Sequence, residues 1–298
     1  MEFTYIDVHP YSLYSSDTTR FWVHYGLVIL GAVLAVVTAV AQWVDPAPYG
    51  KHERRDGNWG PKIPQRLGHI LSDAVPGVVL FTLVFIFYGI QNKTYVNYVF
   101  LAMFLSHYIH RGIIHPIIMR YRSSKVALGI TLGGFFPNCL YHFINADFIG
   151  SAEFYTNYYY DPRFLVGIIM FCAGYIINRW ADLKLRSLRE TKDEQSKRAA
   201  SYGSLSTNKE EHSNEPSGCT GYYIPYGGLF ELVTCPNYFG ELLEWTGWTI
   251  ATWSAAGLVW TLFAAATFFP RARHNHAWYK SQFESYPPNR KSLIPFIF

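Results

Sequence analysis

Charge is scarce in this sequence. Asp, Glu, Lys and Arg make up 15% of its 298 residues, against about 25% in a typical soluble domain. Cysteine is scarce too. The four present (Cys139, Cys172, Cys219 and Cys235) form no CxxC pair and read as unpaired thiols. No GxGxxG turn follows a strand pattern, and strands do not alternate with helices. A soluble dinucleotide-binding domain is thereby excluded. The chain has "HYIH" (His107 to His110) and "HNH" (His274 to His276) but no HxxHH box, and His9, His24, His52 and His212 are scattered. Too few histidines converge for a di-iron site, so no metal is expected. The net charge of +4 is spread over loops and does not point to nucleic acid.

Apolar length is abundant. Runs of about 20 apolar residues suffice to cross a bilayer. They occur at Phe21–Val44, His69–Ile90, Tyr95–Met119, Val126–Phe148, Phe164–Leu183 and Thr249–Phe269, with a weaker run at Leu229–Trp248 that carries Glu231, Glu241 and Glu244. The sequence predicts an all-α integral membrane protein with a bundle of seven transmembrane helices. The first run starts too late and is too long for a cleaved signal peptide, so it is expected to be retained. With seven alternating spans, 20 of the 25 Lys and Arg fall on one side. The positive-inside rule makes that side cytosolic, with a lumenal N-terminus and a cytosolic C-terminus.

Residues 1–298 are expected to form a single membrane domain. Glu190–Gly218 is polar and nearly free of apolar residues, and is read as a disordered cytosolic loop. The sequon at Asn92 is expected to be unused, because it sits in a turn close to the membrane.

Ionisable residues inside spans are costly and mark function or a buried partner. Tyr108, Arg111 and His115 share one face of the third span, with His107 on its edge. Asn178, Asp182 and Arg189 line the fifth, and Asn237, Glu241 and Glu244 the sixth. Such stripes turn inward. They build either a common polar cavity or interhelical ion pairs, such as Arg111 with Asp182 or Glu241. Spacing alone leaves an enzyme or a transporter.

Four segments carry a resemblance. They are "PYGKH" (48–52), "SHYIHR" (106–111), "YYIPYGGLFELVTCPNYFGELLEWTGWTIATWS" (222–254) and "HAWYKSQFESYPPNRKSLIPFIF" (276–298). From about Tyr49 to the C-terminus, apart from Glu190–Gly218, the chain resembles the steroid 5α-reductases. The resemblance implies NADPH-dependent reduction of the 4,5 double bond of 3-oxo-Δ4-steroids in the endoplasmic reticulum membrane. Steroid and lipid bilayer are then the partners.

Residue by residue, the resemblance makes Tyr108 a donor to the 3-oxo group. Ser72-Asp73 stands where the family has Gln-Glu, so Asp73 supplies a shorter carboxyl. Such a carboxyl donates only when protonated, which an apolar surround favours. Tyr49, Arg122, Asn178, Asp182, Arg189, Tyr222, Asn237, Glu241, Arg271 and Tyr279 match positions around NADPH. Tyr223 and Asn275 depart from the family's usual Arg and His, while His276 is kept. His107 and His110 are read as orienting partners. Two alternatives stand beside this reading: a same-fold reductase of an enoyl-CoA or a polyprenal, and a non-catalytic sterol or lipid binder.

Overall fold

The computed structural model describes residues 10–14, 17–45, 48, 59–89, 93–121, 123–189 and 222–298. The 190–218 segment and Asn92 lie outside the described residues. In a medium without water, backbone groups must bond within their own segment, so the apolar runs form helices.

Helix α1 is Thr18–Val44, begun by Asp17, whose side chain accepts from the Arg20 amide. Helix α2 is Gln65–Tyr88. Helix α3 covers 95–118 and opens with a reciprocal cap between Thr94 and Asn97. Helices α4 (Leu128–Ser151), α5 (Pro162–Ser187), α6 (Pro236–Thr252) and α7 (Ala255–Gln282) follow. Proline opens α5 and α6, where its fixed φ suits the first turn and its missing N–H goes unneeded.

Among the described residues, α1, α2, α5 and α7 are long and apolar enough to cross a membrane. Helix α6, with 17 residues, is the shortest of the seven. The exterior suits lipid rather than water. Helix α1 buries only His24, Val28, Gly31 and Ala35, one stripe, and exposes Val33, Val36, Val37 and Val40. A patch of that kind is foreign to a soluble monomer's surface.

Helix α5 packs chiefly on α6, α1 on α7, and α2 on α4. The α5–α6 contact is backbone to backbone: a Cβ at Gly174 would lie 2.4 Å from the Gly240 carbonyl oxygen. Small residues at such crossings permit this approach. It brings the Asn178/Asp182 stripe directly against the Asn237/Glu241 stripe. Aromatic rings fill the centre, with Phe81 stacked on Phe104 at 3.7 Å and Trp245 and Trp248 fully buried.

The all-α expectation needs one correction. Two short antiparallel ladders join loops at the bundle ends: β1 (Tyr11–Ser12) pairs with β4 (Glu153–Phe154), and β2 (Lys62–Pro64) with β3 (Lys125–Ala127). Strands of two or three residues have no readable period in sequence.

Candidate active site

Helices α2 and α3 both widen where they meet. Turns of the i→i+5 type run through Ile70–Leu80 in α2, which contains Pro76, and through His110–Ile114 in α3. Proline cannot donate a helix hydrogen bond, and wide turns recur at functional sites. Between these segments, α2 has no room for a side chain at Gly77. A Cβ there would fall 2.2 Å from the Tyr108 ring. The absence of one lets Tyr108 lie flat against α2, four residues from Asp73.

Tyr108 is 3% exposed, and its hydroxyl meets His142 Nε2 at 2.7 Å. Asp73 lies close by, with Asn138 Nδ2 at 3.3 Å, His69 Nδ1 at 3.7 Å and Arg111 Nε at 4.0 Å. Asp73 therefore does not sit among apolar groups alone. Potential donors encircle the carboxyl, and a group so placed serves as an acceptor. Of the two arrangements left open by spacing, ion pairs of Arg111 with Asp182 or Glu241 do not form; Arg111 Nε comes within 4.0 Å of Asp73 instead. At the mouth of this region Tyr121 stacks on His69, and burial pushes its phenol up to about 12.

A second layer continues between α3, α5 and α6. His107 Nδ1 meets Glu244 Oε1 at 2.8 Å. Asn178 Nδ2 donates to the Asn237 carbonyl (2.9 Å) and to Glu241 Oε2 (3.1 Å), and Asn237 Nδ2 donates to Asp182 Oδ1 (3.1 Å). Asp182 Oδ2 is buried without a hydrogen bond, as are His142 Nδ1, Glu244 Oε2 and His110 Nδ1. A cavity of about 110 Å³ joins the two layers, lined by Asp73, Tyr108, Arg111, Asn138 and Glu241 with an aromatic wall that includes Trp245 and Trp260. Ligand pockets usually run from about 300 Å³, so a bulky ligand requires the walls to part.

The remaining expected residues lie toward one end of this strip. Arg271, Asn275 and Tyr279 are buried on one face of α7. Tyr222 packs on Trp278 at 4.9 Å, in the cluster that contains Tyr279. Arg189 Nη1 donates to the Arg120 carbonyl at 2.6 Å, and Arg120 returns a bond to the Arg189 carbonyl at 2.8 Å. Tyr49 and Arg122 lie outside the described residues. Among the described residues, no group of three or more His, Cys, Asp or Glu is placed to hold a metal ion.

His142 was not foreseen. Its signal was present, because Asn138, His142 and Asn145 stand at i, i+4 and i+7 in the fourth apolar run. Asn145 proves structural: it accepts from Trp248 Nε1 at 2.8 Å and donates to the Tyr141 and Ala256 carbonyls. Asn138 lines the cavity instead, and His142 meets the Tyr108 hydroxyl behind it.

Known proteins match this sequence over most of its length. The sequence pattern of the 3-oxo-5-alpha-steroid 4-dehydrogenase family matches residues 124–205 and 203–298. The chain is 35% identical to steroid 5-alpha-reductase DET2 of Arabidopsis thaliana over 283 residues, which is 91% of this chain and 94% of that one. It is 32% identical to the protein of the same name in Gossypium hirsutum, covering 95% of this chain and 100% of that one. It is 37% identical to 3-oxo-5-alpha-steroid 4-dehydrogenase 1 of Homo sapiens, over 68% of each chain.

Proposed function

Because this chain belongs to the 3-oxo-5-alpha-steroid 4-dehydrogenase family, we propose that it reduces the 4,5 double bond of 3-oxo-Δ4-steroids with NADPH. It does so as a seven-span protein of the endoplasmic reticulum membrane, with its N-terminus lumenal and its C-terminus cytosolic. The observation that carries the reading is the Tyr108 hydroxyl. It is buried at the cavity floor and oriented by His142 at 2.7 Å. The distribution of 20 of 25 Lys and Arg on one side supports the orientation.

The residues between α5 and α6 fit a dinucleotide. Asp182 Oδ2 is an unsatisfied buried acceptor, suited to an amide or a ribose hydroxyl. The amides of Asn178 and Asn237 lie beside it. Arg189 and Arg271, with Arg122 by resemblance, are cations suited to phosphates. Tyr222, Tyr279 and Tyr49 offer ring surface, and Glu241 holds Asn178 in place. NADPH supplies a hydride when bound.

The chain's own part is to position and polarise. Tyr108 donates to the 3-oxo oxygen, where negative charge builds as C5 accepts hydride. With its proton on Nε2, His142 donates to the phenol oxygen, which fixes the hydroxyl and leaves its one hydrogen for the 3-oxo oxygen. Asp73 anchors Arg111 and Asn138 around that oxygen, an accepting role rather than a donating one. Trp245 and Trp260 exclude water and raise the worth of each donor.

Product analysis of the purified protein with NADPH and a panel of enones tests the proposal. A 5α-reduced 3-oxo-steroid is expected. Turnover of an enoyl-CoA or a polyprenal alone would move the substrate class, and no turnover with tight sterol binding would mark a binder.

A further inference from the structure

The last turns of α7 and the chain's final residues enclose a second pocket, of about 390 Å³, apart from the cavity at Tyr108. Four basic residues border it. His276 and Lys280 come from one face of α7, one turn apart, and Arg290 and Lys291 from the returning tail. The scaffold beneath is fixed. The Lys291 amide donates to the Leu232 carbonyl and its carbonyl accepts from the Thr234 amide, both at 2.8 Å. Thr234 Oγ1 also meets His276 Nδ1 at 2.6 Å and Tyr286 at 2.7 Å.

Arg290 is the unusual member. It is 2% exposed, yet it takes part in none of the ion pairs among the described residues. Its Nη1 donates to the Pro225 carbonyl at 3.1 Å, and its guanidinium lies over the Tyr226 and Tyr286 rings, but Nε and Nη2 have no hydrogen-bond partner. A buried cation without a carboxylate is costly unless an anion compensates it. Lys280 and Lys291 are exposed and likewise outside those ion pairs. The pocket thus gathers positive charge, and no Asp or Glu side chain borders it.

Beside it the chain becomes apolar and outward-facing. Phe296, held at a left-handed φ of 66°, and Ile297 are 78% and 76% exposed. A bulky residue in that conformation is strained and persists only where the surroundings enforce it. Phe298 rests on Phe269 and near Trp43, the penultimate residue of the lipid-facing α1, and Arg273 lies over the Trp43 ring at 4.8 Å. Aromatic and basic residues mixed at a helix end are the composition of a membrane interface.

We propose that this pocket binds the phosphate of an anionic phospholipid headgroup, with Lys280 and Lys291 as the contacting cations and Phe296 and Ile297 set among the acyl chains. The buried Arg290 guanidinium adds its field from behind the pocket wall. Binding a lipid of the leaflet would lock the tail onto α7.

Thermal unfolding in nanodiscs tests this. Full-length protein is placed in phosphatidylcholine alone or in phosphatidylcholine with phosphatidic acid. The anionic lipid is expected to raise Tm by about 4 °C through preferential binding to the folded state. Lys280→Ala/Lys291→Ala should melt like the parent in the neutral lipid and lose that increment. Lys280→Arg/Lys291→Arg should keep it, and so should Lys62→Ala/Lys125→Ala, two exposed lysines elsewhere on the same basic side. An undiminished increment in the alanine double variant would overturn the proposal, as would its loss in the arginine variant, which would make the lysines structural. If millimolar inorganic phosphate in neutral discs gives the same rise, the ligand is a soluble phosphate and the lipid assignment fails.

Discussion

Asp147 and Asp182 are both buried carboxylates in helices of one bundle, and their surroundings differ. Asp147, in α4, has both oxygens bonded: Oδ1 to Arg20 at 2.6 Å, Oδ2 to His24 at 2.8 Å and to the Tyr14 hydroxyl. Burial, then the Asp147 charge, pushes the Tyr14 phenol well above its usual range, so it stays a donor. The cluster ties the N-terminal segment, α1 and α4 together and is closed around its carboxylate. Asp182, in α5, has one oxygen bonded to Asn237 and one with no hydrogen bond, although His115 Nδ1 is 3.3 Å away. Elsewhere in this layer Glu244 and His110 also keep unsatisfied atoms. Buried polar networks that serve structure leave few groups orphaned, because each costs roughly 1–3 kcal/mol; around Asp147 the carboxylate is fully bonded and Arg20 Nε alone goes without a partner. A network left open at several atoms is one whose missing partners arrive with a ligand.

The contrast can be broken at either end. The largest effect is expected on stability from the closed cluster. Asp147→Ala should cost about 3 kcal/mol, the low end for removing one partner of a buried ion pair, because Arg20 is partly exposed. Denaturant unfolding would report it, while kcat per folded molecule stays near the parent's. A drop in kcat without loss of stability would place Asp147 in the reaction instead.

The open cluster should respond the other way. Asp182→Ala is expected to remove about 0.5–3 kcal/mol of NADPH affinity, the worth of a hydrogen bond to a bound group, with little change in unfolding. Separate titrations of cofactor and steroid decide it. An unchanged NADPH affinity beside a weakened steroid would assign Asp182 to the wrong ligand. The smallest effect belongs to neither cluster. Deleting Lys192–Glu215 should leave turnover within a few-fold, and complete inactivity in a folded protein would tie that segment to the site.

Much of the fold was legible because hydropathy and helix geometry agree. The run Tyr95–Met119 became a helix over 95–118, and Phe21–Val44 became Thr18–Val44. The two ends misjudged by the most residues have physical reasons. Helix α6 starts at Pro236 rather than Leu229, because Gly227 and Gly228 adopt positive φ and the chain makes a 3₁₀ turn before the proline. Helix α7 continues to Gln282, well past Phe269, since its last turns are basic and carry no apolar signal.

The stripes on α3, α5 and α6 were readable from spacing, and the structure brings Asn178, Asp182, Asn237 and Glu241 into hydrogen-bonding contact. The partners of Tyr14 and Asp147 lie over a hundred residues apart, so no local pattern announces them. His142 was overlooked because it is a single histidine in an apolar run, and only the fold shows what it faces.

The account's central claim is that Tyr108, oriented by His142, stabilises charge on the substrate's 3-oxo oxygen. Steady-state kinetics of Tyr108→Phe test it most directly, since the ring that packs on Gly77 and Phe104 remains and only the hydroxyl is lost. By comparison with removal of one oxyanion donor, kcat should fall about 10²–10³-fold with the steroid KM close to the parent's. A raised KM with kcat unchanged would mean that the hydroxyl contributes only uniform binding, and the role assigned to Tyr108 would be wrong.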